Sequence, residues 1–239
     1  SGLMSIYKLR KERAQVQADS FYCHLFGHKQ EITDICVCLS YSTMATTSQD
    51  GLLIVWDTNK LSYVNSIQLK SQSIYKVSIS ETTNDIAFIS NAPNKLNFYT
   101  GNCEFIGDKD SLSDEPMAEN VNMKSLCFSN APEGLSVNVI AVGLSNGRIR
   151  MYSTWDLTLL REFSINYDTT TTIGCIISLT FTKDCKRLYA SDTYARIYIL
   201  EAFNSSSSLN KSQQMLQSSS AAQSNSNTSG FLTNLVCFT

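Results

Sequence analysis

Short runs of alternating apolar and polar residues, separated by residues that favour turns, occupy most of the chain. The clearest stretch is residues 32–69, which contains four such runs. Its second and third runs, STMATTS and LLIVWDT, are joined by Gln49-Asp50-Gly51. An alternation of period two is typical of strands with one buried face, and Gly51 supplies the positive φ that a tight hairpin turn requires. The stretch therefore predicts a four-stranded antiparallel sheet.

The same pattern recurs three times when the later runs are aligned on Trp56. Tyr99, Tyr152 and Ile199 take the place of Trp56, so successive units are 43, 53 and 47 residues apart. A period of about 40–45 residues, lengthened where loops are inserted, is that of a WD40 β-propeller, whose four-stranded blades pack face to face. We therefore predict an all-β fold of this type. Four blades are expected in this chain, at about residues 28–69, 73–106, 121–164 and 175–202.

The first unit also has the polar residues that are typical of a WD40 blade. A Gly27-His28 pair precedes its first strand, and Trp56-Asp57 ends its third. Buried polar groups need partners, so an Asp that orients a His and a hydroxyl that bridges to a Trp indole would form one hydrogen-bonded lock. The same residue types occur in Ser-His-Asp catalysis, but a structural lock explains them better. The predicted lock consists of His28, Thr46 or Ser48, Asp50 and Trp56.

The later units carry only parts of this set. Asn146-Gly147 repeats the turn signal in the third unit, whereas the fourth unit has Thr193-Tyr194 at that position. The longest interval between units includes residues 107–120, which are acidic and polar, contain Pro and are predicted to form a surface loop. Only the first unit is therefore expected to have the full lock, and the others depend on apolar packing.

The beginning of the chain differs from the blades. Residues 1–20 are interpreted as a leading linker or loop, in which the charged stretch 8–19 forms a loop or a short helix. Residues 21–26, FYCHLF, fit the outer strand of a preceding blade, so the blade region spans residues 21–202. Closed rings have roughly four to eight blades. We therefore expect part of a larger propeller that upstream sequence completes, or else an open array.

A polar, low-complexity segment follows the last unit. Residues 203–230 are mostly Ser, Asn and Gln, a composition that cannot bury enough apolar surface to offset the entropy lost on ordering. We expect this segment to be disordered. Residues 231–239, FLTNLVCFT, form a short apolar run that is either a closing strand of the fourth blade or an unpaired terminus.

Charge and cysteine content favour a cytosolic protein without a metal site or a nucleic-acid partner. The net charge is −2, so no general electrostatic attraction to nucleic acid is expected. The eight cysteines lack the paired spacings of metal sites and are interpreted as core thiols in a reducing compartment. No Gly-rich phosphate loop or nucleophile elbow occurs. We therefore predict no catalytic, cofactor-binding or metal-binding residues.

Three residues of the third unit are candidate partner contacts. Trp155 lies outside the lock register, three residues after Tyr152, and we interpret it as a structural cap. A largely exposed Trp155 would instead favour a partner contact, because exposed Trp is enriched among interface anchors. Arg148 and Arg150 are the other two candidates.

Two long runs resemble the C-terminal WD repeats of BEACH-domain proteins. They are ITDICVCLSYSTMATTSQDGLLIVWDTNKLSYV in the first unit, and FSNAPEGLSVNVIAVGLSNGRIRMYSTWDL, followed by IISLTF, in the third and fourth. The resemblance covers residues 21–202, apart from the loop at 107–120, and does not extend to the Ser-rich tail. The fourth unit departs from the pattern because it lacks the Asp-Gly turn.

The resemblance implies a very large cytosolic scaffold with PH-like and BEACH domains before the WD repeats. Such proteins act in the trafficking of vesicles and lysosome-related organelles, controlling organelle size, fusion and fission. The segment is then expected to be non-catalytic and to bind other proteins, and the upstream PH–BEACH module, through its faces. Membrane association is expected to be indirect, at the periphery of vesicles, and no cofactor is implied.

Two alternative functions stay open at this point. Another BEACH-family scaffold, in autophagy or membrane sorting, would share the repeats, and its upstream sequence would distinguish the branches. A WD40 substrate receptor of a ubiquitin-ligase complex is the second alternative, which co-purification of ligase components would favour.

Overall fold

The computed structural model describes residues 2–12, 15–70, 72–91, 94–110, 121–131, 138–165, 174–202 and 232–238. These residues form eighteen β-strands and no helix, so the all-β prediction is confirmed. Strands β1 (Met4–Glu12) and β2 (Gln15–Leu25) pair as an antiparallel hairpin. The other sixteen strands form four antiparallel sheets of four strands each, which we call blades 1 to 4.

Within each blade the strands are neighbours in chain order. Blade 1 contains β3 (Ile32–Cys38), β4 (Thr43–Ser48), β5 (Leu52–Asp57) and β6 (Ser62–Gln68). Blade 2 contains β7 (Ile74–Ile79), β8 (Ile86–Ser90), β9 (Lys95–Tyr99) and β10 (Phe105–Asp110). Blade 3 contains β11 (Met123–Phe128), β12 (Val139–Leu144), β13 (Arg148–Ser153) and β14 (Leu159–Ser164). Blade 4 contains β15 (Ile176–Phe181), β16 (Arg187–Asp192), β17 (Ile197–Ala202) and β18 (Leu232–Phe238).

The burial of each strand follows its position in the blade. The second strands β4, β8 and β12 are buried at every residue, whereas the fourth strands β10 and β14 alternate between exposed and half-buried residues. A strand that is covered on both faces has a continuous run of apolar residues, whereas a strand at an open edge has alternating apolar and polar residues. The blades therefore stack through their middle strands and expose their outer edges.

Apolar side chains join each blade to the next. Leu53 of blade 1 and Phe88 of blade 2 share one buried cluster, and Phe98 of blade 2 shares the next with Tyr152 of blade 3. A third cluster joins blades 3 and 4, and a fourth places the β1–β2 hairpin against blade 1 around Trp56. The protein thus has one stacked series of cores rather than a single sandwich core.

A repeated hydrogen bond also links successive blades at their first strands. The ladder between the first and second strands shifts register at the second residue of β3, β7, β11 and β15, which is the mark of a β-bulge. Next to each of the first three bulges, a hydroxyl donates to the carbonyl of the first residue of the next blade. The pairs are Thr33 to Ile74 (2.6 Å), Tyr75 to Met123, and Ser125 to Ile176 (2.9 Å).

The alternating strand directions give each blade two ends with different loops. We call the end at which the first strands begin the upper end; it carries the β4–β5, β8–β9, β12–β13 and β16–β17 turns. The lower end carries the turns between the first and second strands and between the third and fourth strands. Residues from different blades meet at each end.

The interpretation of residues 1–20 as a linker, with a loop or helix at 8–19, is wrong. Most of this segment lies in β1 and β2, which pair from Met4 opposite Leu25 to Glu12 opposite Gln15. Two register shifts, at Ile6/Tyr7 and Lys8/Leu9, interrupt the alternation along these strands. Irregular pairing and a high content of charged residues hid the strand pattern from the sequence.

The boundary of the predicted acidic loop is also corrected. Residues 107–110 belong to β10, where they pair with β9, and residues 111–120 lie outside the described part of the chain. The Lys95 ammonium lies 2.7 Å from the Asp108 carboxylate across the two strands, so the acidic residues have a cross-strand partner. An outer edge strand can be this polar because one side faces solvent.

The run at residues 231–239 was expected to be either a closing strand of the fourth blade or an unpaired terminus. The structure shows a closing strand, β18, in blade 4. β18 pairs antiparallel with β17, from Phe238 opposite Ile197 to Leu232 opposite Ala202. The Ser-rich stretch at 203–230 lies outside the described residues.

Candidate functional site

The predicted lock residues of blade 1 meet around the hydroxyl of Thr46. The Trp56 indole N–H donates to Thr46 Oγ1 at 2.9 Å, and His28 Nε2 lies 2.7 Å from the same oxygen. The Thr46 hydroxyl can donate to His28 Nε2 or accept from it, according to the tautomer of the imidazole. Thr46 is fully buried. The structure therefore selects Thr46 rather than Ser48 as the bridging hydroxyl.

Asp50 lies at the edge of this arrangement rather than inside it. Its Oδ1 is 3.9 Å from His28 Nδ1, which is too long for a hydrogen bond. Its oxygens accept instead from the backbone N–H groups of Lys29 (2.8 Å) and Leu52 (3.0 Å), while its own N–H lies 3.4 Å from Ser48 Oγ. Asp50 thus organises the β4–β5 turn and interacts with His28 through space.

Burial and hydrogen bonding shift the two titratable groups of this cluster. Burial lowers the pKa of His28, and the nearby Asp50 carboxylate offsets only part of that effect. Burial acts to raise the pKa of Asp50, but the hydrogen bonds from Lys29 and Leu52 outweigh it and the net pKa falls below its ordinary value. A neutral imidazole beside an ionised carboxylate follows, and the His28 side chain is almost fully buried. No opening to substrate is needed for this role.

The three candidate partner contacts differ in their exposure to solvent. Arg150 is fully buried and its Nε donates to Glu162 at 2.6 Å, so the interpretation of Arg150 as a partner contact is wrong. Trp155 is 86% exposed at the β13–β14 turn of the lower end, so the interpretation of Trp155 as a cap is wrong as well. Arg148 lies at the upper end, pairs with Glu162 at 3.0 Å and keeps a third of its side chain exposed.

A polar pocket at the upper end spans blades 1, 2 and 3. Its volume is about 540 Å³, which is within the range of roughly 300–1,000 Å³ typical of ligand sites. Carboxamides, hydroxyls and one ammonium line it, and the Tyr75 ring adds apolar surface. The lining residues are Gln30, Thr33, Gln49, Ser73, Tyr75, Asn91, Asn94, Asn122 and Lys124.

Hydrogen bonds between blades hold the deeper part of this pocket. The Asn94 side chain donates to the Tyr75 hydroxyl and accepts from the Met123 N–H at 2.7 Å. Thr33 bonds to the Ile74 carbonyl and to Thr47 Oγ1. The pocket therefore has a floor fixed by three blades and a rim of exposed side chains, including Gln30 and Lys124.

Sequence reasoning missed this pocket because its lining comes from three units that are distant along the chain. The only local signal was the recurrence of polar residues, such as Asn91, Asn94 and Asn122, at the starts and turns of the strands. Side chains of this kind carry both donors and acceptors and recognise polar groups. The arrangement suits binding rather than proton transfer.

The part of the chain that the structure describes gives little support for metal sites, reactive thiols or membrane-spanning helices. No group of three or more His, Cys, Asp or Glu side chains there is close enough to hold a metal ion. The seven cysteines whose side chains the structure describes are free thiols, and burial raises the pKa of Cys38 to about 11, which disfavours the reactive thiolate. None of the described residues forms a helix long and apolar enough for a membrane crossing.

Comparison with known proteins identifies the family. The chain is 39% identical over 173 residues to a human protein named lysosomal-trafficking regulator. That match covers 71% of this chain and 4% of the human protein. The chain belongs to the lysosomal-trafficking regulator family. A Drosophila melanogaster protein of the same name is 25% identical over 184 residues, covering 59% of this chain and 5% of that protein.

Further relatives and one solved structure agree with this assignment. Beige protein homolog 1 of Schizosaccharomyces pombe is 28% identical over 134 residues, covering 54% of this chain and 5% of that protein. These relatives identify the chain as a WD-repeat segment of a BEACH protein, a small part of their full length. A structure titled "Structure of U3-55K" superposes with a TM-score of 0.58 at 11% identity, covering 74% of this chain and 50% of that one, which confirms the propeller fold. No family model matches the chain.

Proposed function

We propose that this segment is a non-catalytic docking platform of a BEACH–WD-repeat scaffold in lysosomal trafficking. The observation that carries the proposal is the polar pocket, which three blades build at the upper end mainly from carboxamides and hydroxyls. A rigid stack of blades fixes loops and pockets in space, and recognition is then a matter of surface complementarity. The names of the related proteins support a role in trafficking.

The finer role follows from the same relationship. The segment recruits other proteins to machinery that controls the size, fusion and fission of vesicles and lysosome-related organelles. It works in the cytoplasm at the periphery of these compartments, beside a PH–BEACH module of the same protein. Membrane contact is indirect and comes from the bound partners.

The exposed Trp155 and the partly exposed Arg148 are proposed as secondary partner contacts. Trp155 presents a large amphipathic side chain at the lower end, and exposed Trp residues are enriched at interfaces. Arg148 presents part of a guanidinium at the upper end, although Glu162 already neutralises it. Of the two, Trp155 is expected to contribute more to binding.

Further blades are proposed to complete the ring. The outward face of blade 4 exposes Ser178 and Ile197, and the hairpin at the other end of the stack exposes Tyr7 and Phe21. Blades 1 to 3 bury the equivalent faces against a neighbour. The segment therefore belongs to a larger propeller.

Affinity capture from cell extract, followed by mass spectrometry, tests the proposed function. The 239-residue chain and a longer version that includes upstream sequence are compared. The proposal expects both to retain the same trafficking proteins, with the longer version retaining more. A Trp155→Ala variant tests the secondary contact, and Tyr63→Ala is its control because Tyr63 is an exposed aromatic residue of another blade. Enrichment of ubiquitin-ligase components alone would support the substrate-receptor alternative instead.

A further inference from the structure

We propose that the polar pocket at the upper end binds an extended polypeptide segment with an acidic side chain, and that Lys124 contacts the acid. This inference rests on the proposed function, since it names the partner chemistry of the same platform. Its first support is the composition of the lining, in which five carboxamides and three hydroxyls surround one ammonium.

The carboxamide side chains of the pocket have the same kinds of hydrogen-bonding groups as a peptide backbone. A peptide presents alternating N–H donors and C=O acceptors, and each Asn or Gln side chain offers two donors and an acceptor. Gln30, Gln49 and Asn91 are exposed on the rim, where an extended chain would pass from blade 1 to blade 2. Recognition of the main chain by fixed polar groups supplies affinity, and a single charged contact supplies selectivity.

The second support is the convergence of three β-bulges on the pocket. The bulged residues of the first three blades, which fall outside the ladder register, are Thr33, Tyr75 and Lys124, and all three line the pocket. A bulge redirects a side chain and is common beside binding sites. In blade 4 the bulged residue is the apolar Ile177, which does not line the pocket. Polar bulged residues therefore occur in blades 1 to 3, which form the pocket, and not in blade 4.

The positive charge of Lys124 favours an acidic side chain in the bound peptide. Lys124 is the one ionisable side chain with a charge at neutral pH among the lining residues, and it is exposed on β11. Lys29 and Lys70 are also exposed on upper-end loops, while Glu31 is held by Gln49 Nε2 at 3.1 Å. An acidic group in the pocket would gain an ion pair, whereas a basic group would face Lys124.

Other ligand classes fit less well. An apolar ligand would leave the carboxamides and hydroxyls that dominate the lining without partners, and a cation would meet no carboxylate among the lining residues. A nucleic acid needs several phosphate contacts, whereas the lining provides a single ammonium and the chain has a net charge of −2. A small polar metabolite is the remaining competitor, and the experiment separates it from a peptide.

Selection from a phage-displayed library of random linear peptides tests the proposal, with the 239-residue chain as target. The selected peptides are synthesised and titrated into isotope-labelled protein, whose mass of 26.6 kDa allows NMR. The proposal expects the selected peptides to share an Asp or Glu and to shift the side-chain amide signals of Gln30, Gln49 and Asn91. Replacement of that acid by Asn or Gln is expected to weaken binding about tenfold, as for one lost charged contact.

Matched charge reversals locate the contact. Lys124→Glu is expected to weaken binding of the selected peptides at least tenfold, on the order of 1.4 kcal/mol. Lys183→Glu makes the same change on an exposed lower-end turn and is expected to leave binding unchanged. Matching thermal melts of the two variants show that both fold. Equal binding by both variants, peptides without an acid, or failure to select any peptide would each overturn the inference.

The same variants separate this inference from the proposed function. Lys124→Glu is expected to lose partners in affinity capture, whereas Lys183→Glu retains them. If Lys124→Glu retains every partner, the pocket inference is wrong while the docking function stands. If the wild-type chain and its longer version retain no partner, the docking function itself fails.

Discussion

At the scale of single residues, Thr46 is the bridging hydroxyl of the predicted lock in blade 1. Its hydroxyl contacts His28 and Trp56, which lie on different segments of the chain. Trp56 packs beneath the β1–β2 hairpin. Without that oxygen, the buried indole N–H has no acceptor. A buried donor left unsatisfied costs roughly 1–3 kcal/mol.

Replacement Thr46→Val is therefore expected to lower the free energy of unfolding by about 1–3 kcal/mol. The substitution keeps the shape of the side chain and removes only the hydroxyl. Urea denaturation measures the change, and Thr46→Ser is the control because it keeps the oxygen. Equal losses in the two variants would show that packing of the methyl group, rather than the hydrogen bonds, explains the effect.

The protonation of His28 gives a second prediction at this scale. Its pKa in the folded state is below its ordinary value of 6.5, so the unfolded chain binds the proton more readily. The contribution of His28 to the free energy of unfolding is therefore complete above pH 6.5. It is lost as the pH falls from 6.5 toward the pKa of His28 in the folded state. NMR titration of the ring protons is expected to give a midpoint below 6.5, and a midpoint above that value would contradict the assigned neutral state.

At the scale of elements, the turns at the upper end decide how each blade is closed. Gly51 follows Asp50 in the β4–β5 turn with a φ of +75°, and a Cβ there would lie 2.1 Å from the Gln72 carbonyl oxygen. The conformation and the close approach both require glycine. The Asp-Gly pair therefore serves the turn and the contact with the loop before blade 2.

Replacement Gly51→Ala is expected to destabilise the protein by more than the roughly 1–2 kcal/mol that the left-handed conformation alone costs. The excess comes from the backbone oxygen, which cannot rotate away as a side chain could. Gly107→Ala is the matched control, since its Cβ would meet only Leu157 Cδ1 at an ordinary 3.5 Å. A thermal shift no larger for Gly51→Ala than for the control would contradict the account.

Blade 4 closes its turn without the Asp-Gly signal that the sequence led us to require. Asp192 accepts from the backbone N–H groups of Tyr194 and Arg196, and its Oδ2 accepts from the Arg196 guanidinium at 2.6 Å and from the Tyr198 hydroxyl at 3.0 Å. Burial acts to raise the pKa of Asp192, but Arg196 outweighs it and keeps the net pKa low. In place of the Asp-Gly signal, this turn therefore has an ion pair between Arg196 and the buried Asp192, the last residue of β16.

The sequence predicted the strands that alternate regularly and missed those that do not. The middle strands of each blade, such as Leu52–Asp57 and Val139–Leu144, are apolar runs next to Asp-Gly or Asn-Gly turns and were recognisable. Strand β1 (Met4–Glu12) was not recognisable, because bulges interrupt the alternation of apolar and polar residues in the β1–β2 hairpin. The pocket could not be predicted at all, because it depends on the register between blades.

At the scale of the whole molecule, the repeated hydrogen bond between first strands shows how the stack grows. Ser125 of blade 3 donates to the first residue of blade 4. Ser178 has the same position in blade 4, since MKSLCF of β11 aligns with IISLTF of β15. Ser178 is exposed. In a larger propeller its hydroxyl would donate to the first strand of a following blade.

This equivalence predicts different results for two serine variants. Ser125→Ala is expected to destabilise the 239-residue chain by about 1 kcal/mol, because a buried hydrogen bond is lost. Ser178→Ala is expected to have little effect on this chain and a similar cost in a longer version that supplies the next blade. Denaturation of all four proteins measures this. No cost for Ser178→Ala in the longer version would contradict the proposed continuation.

The central claim is that a fixed stack of blades recognises protein partners at its upper end. Cross-linking of captured complexes with an amine-reactive reagent, read by mass spectrometry, tests it most directly. Lysines are exposed at both ends, including Lys70 and Lys124 at the upper end and Lys60 and Lys183 at the lower end. The account predicts that partners cross-link to Lys124 and Lys70. Cross-links confined to Lys60 and Lys183 would contradict it.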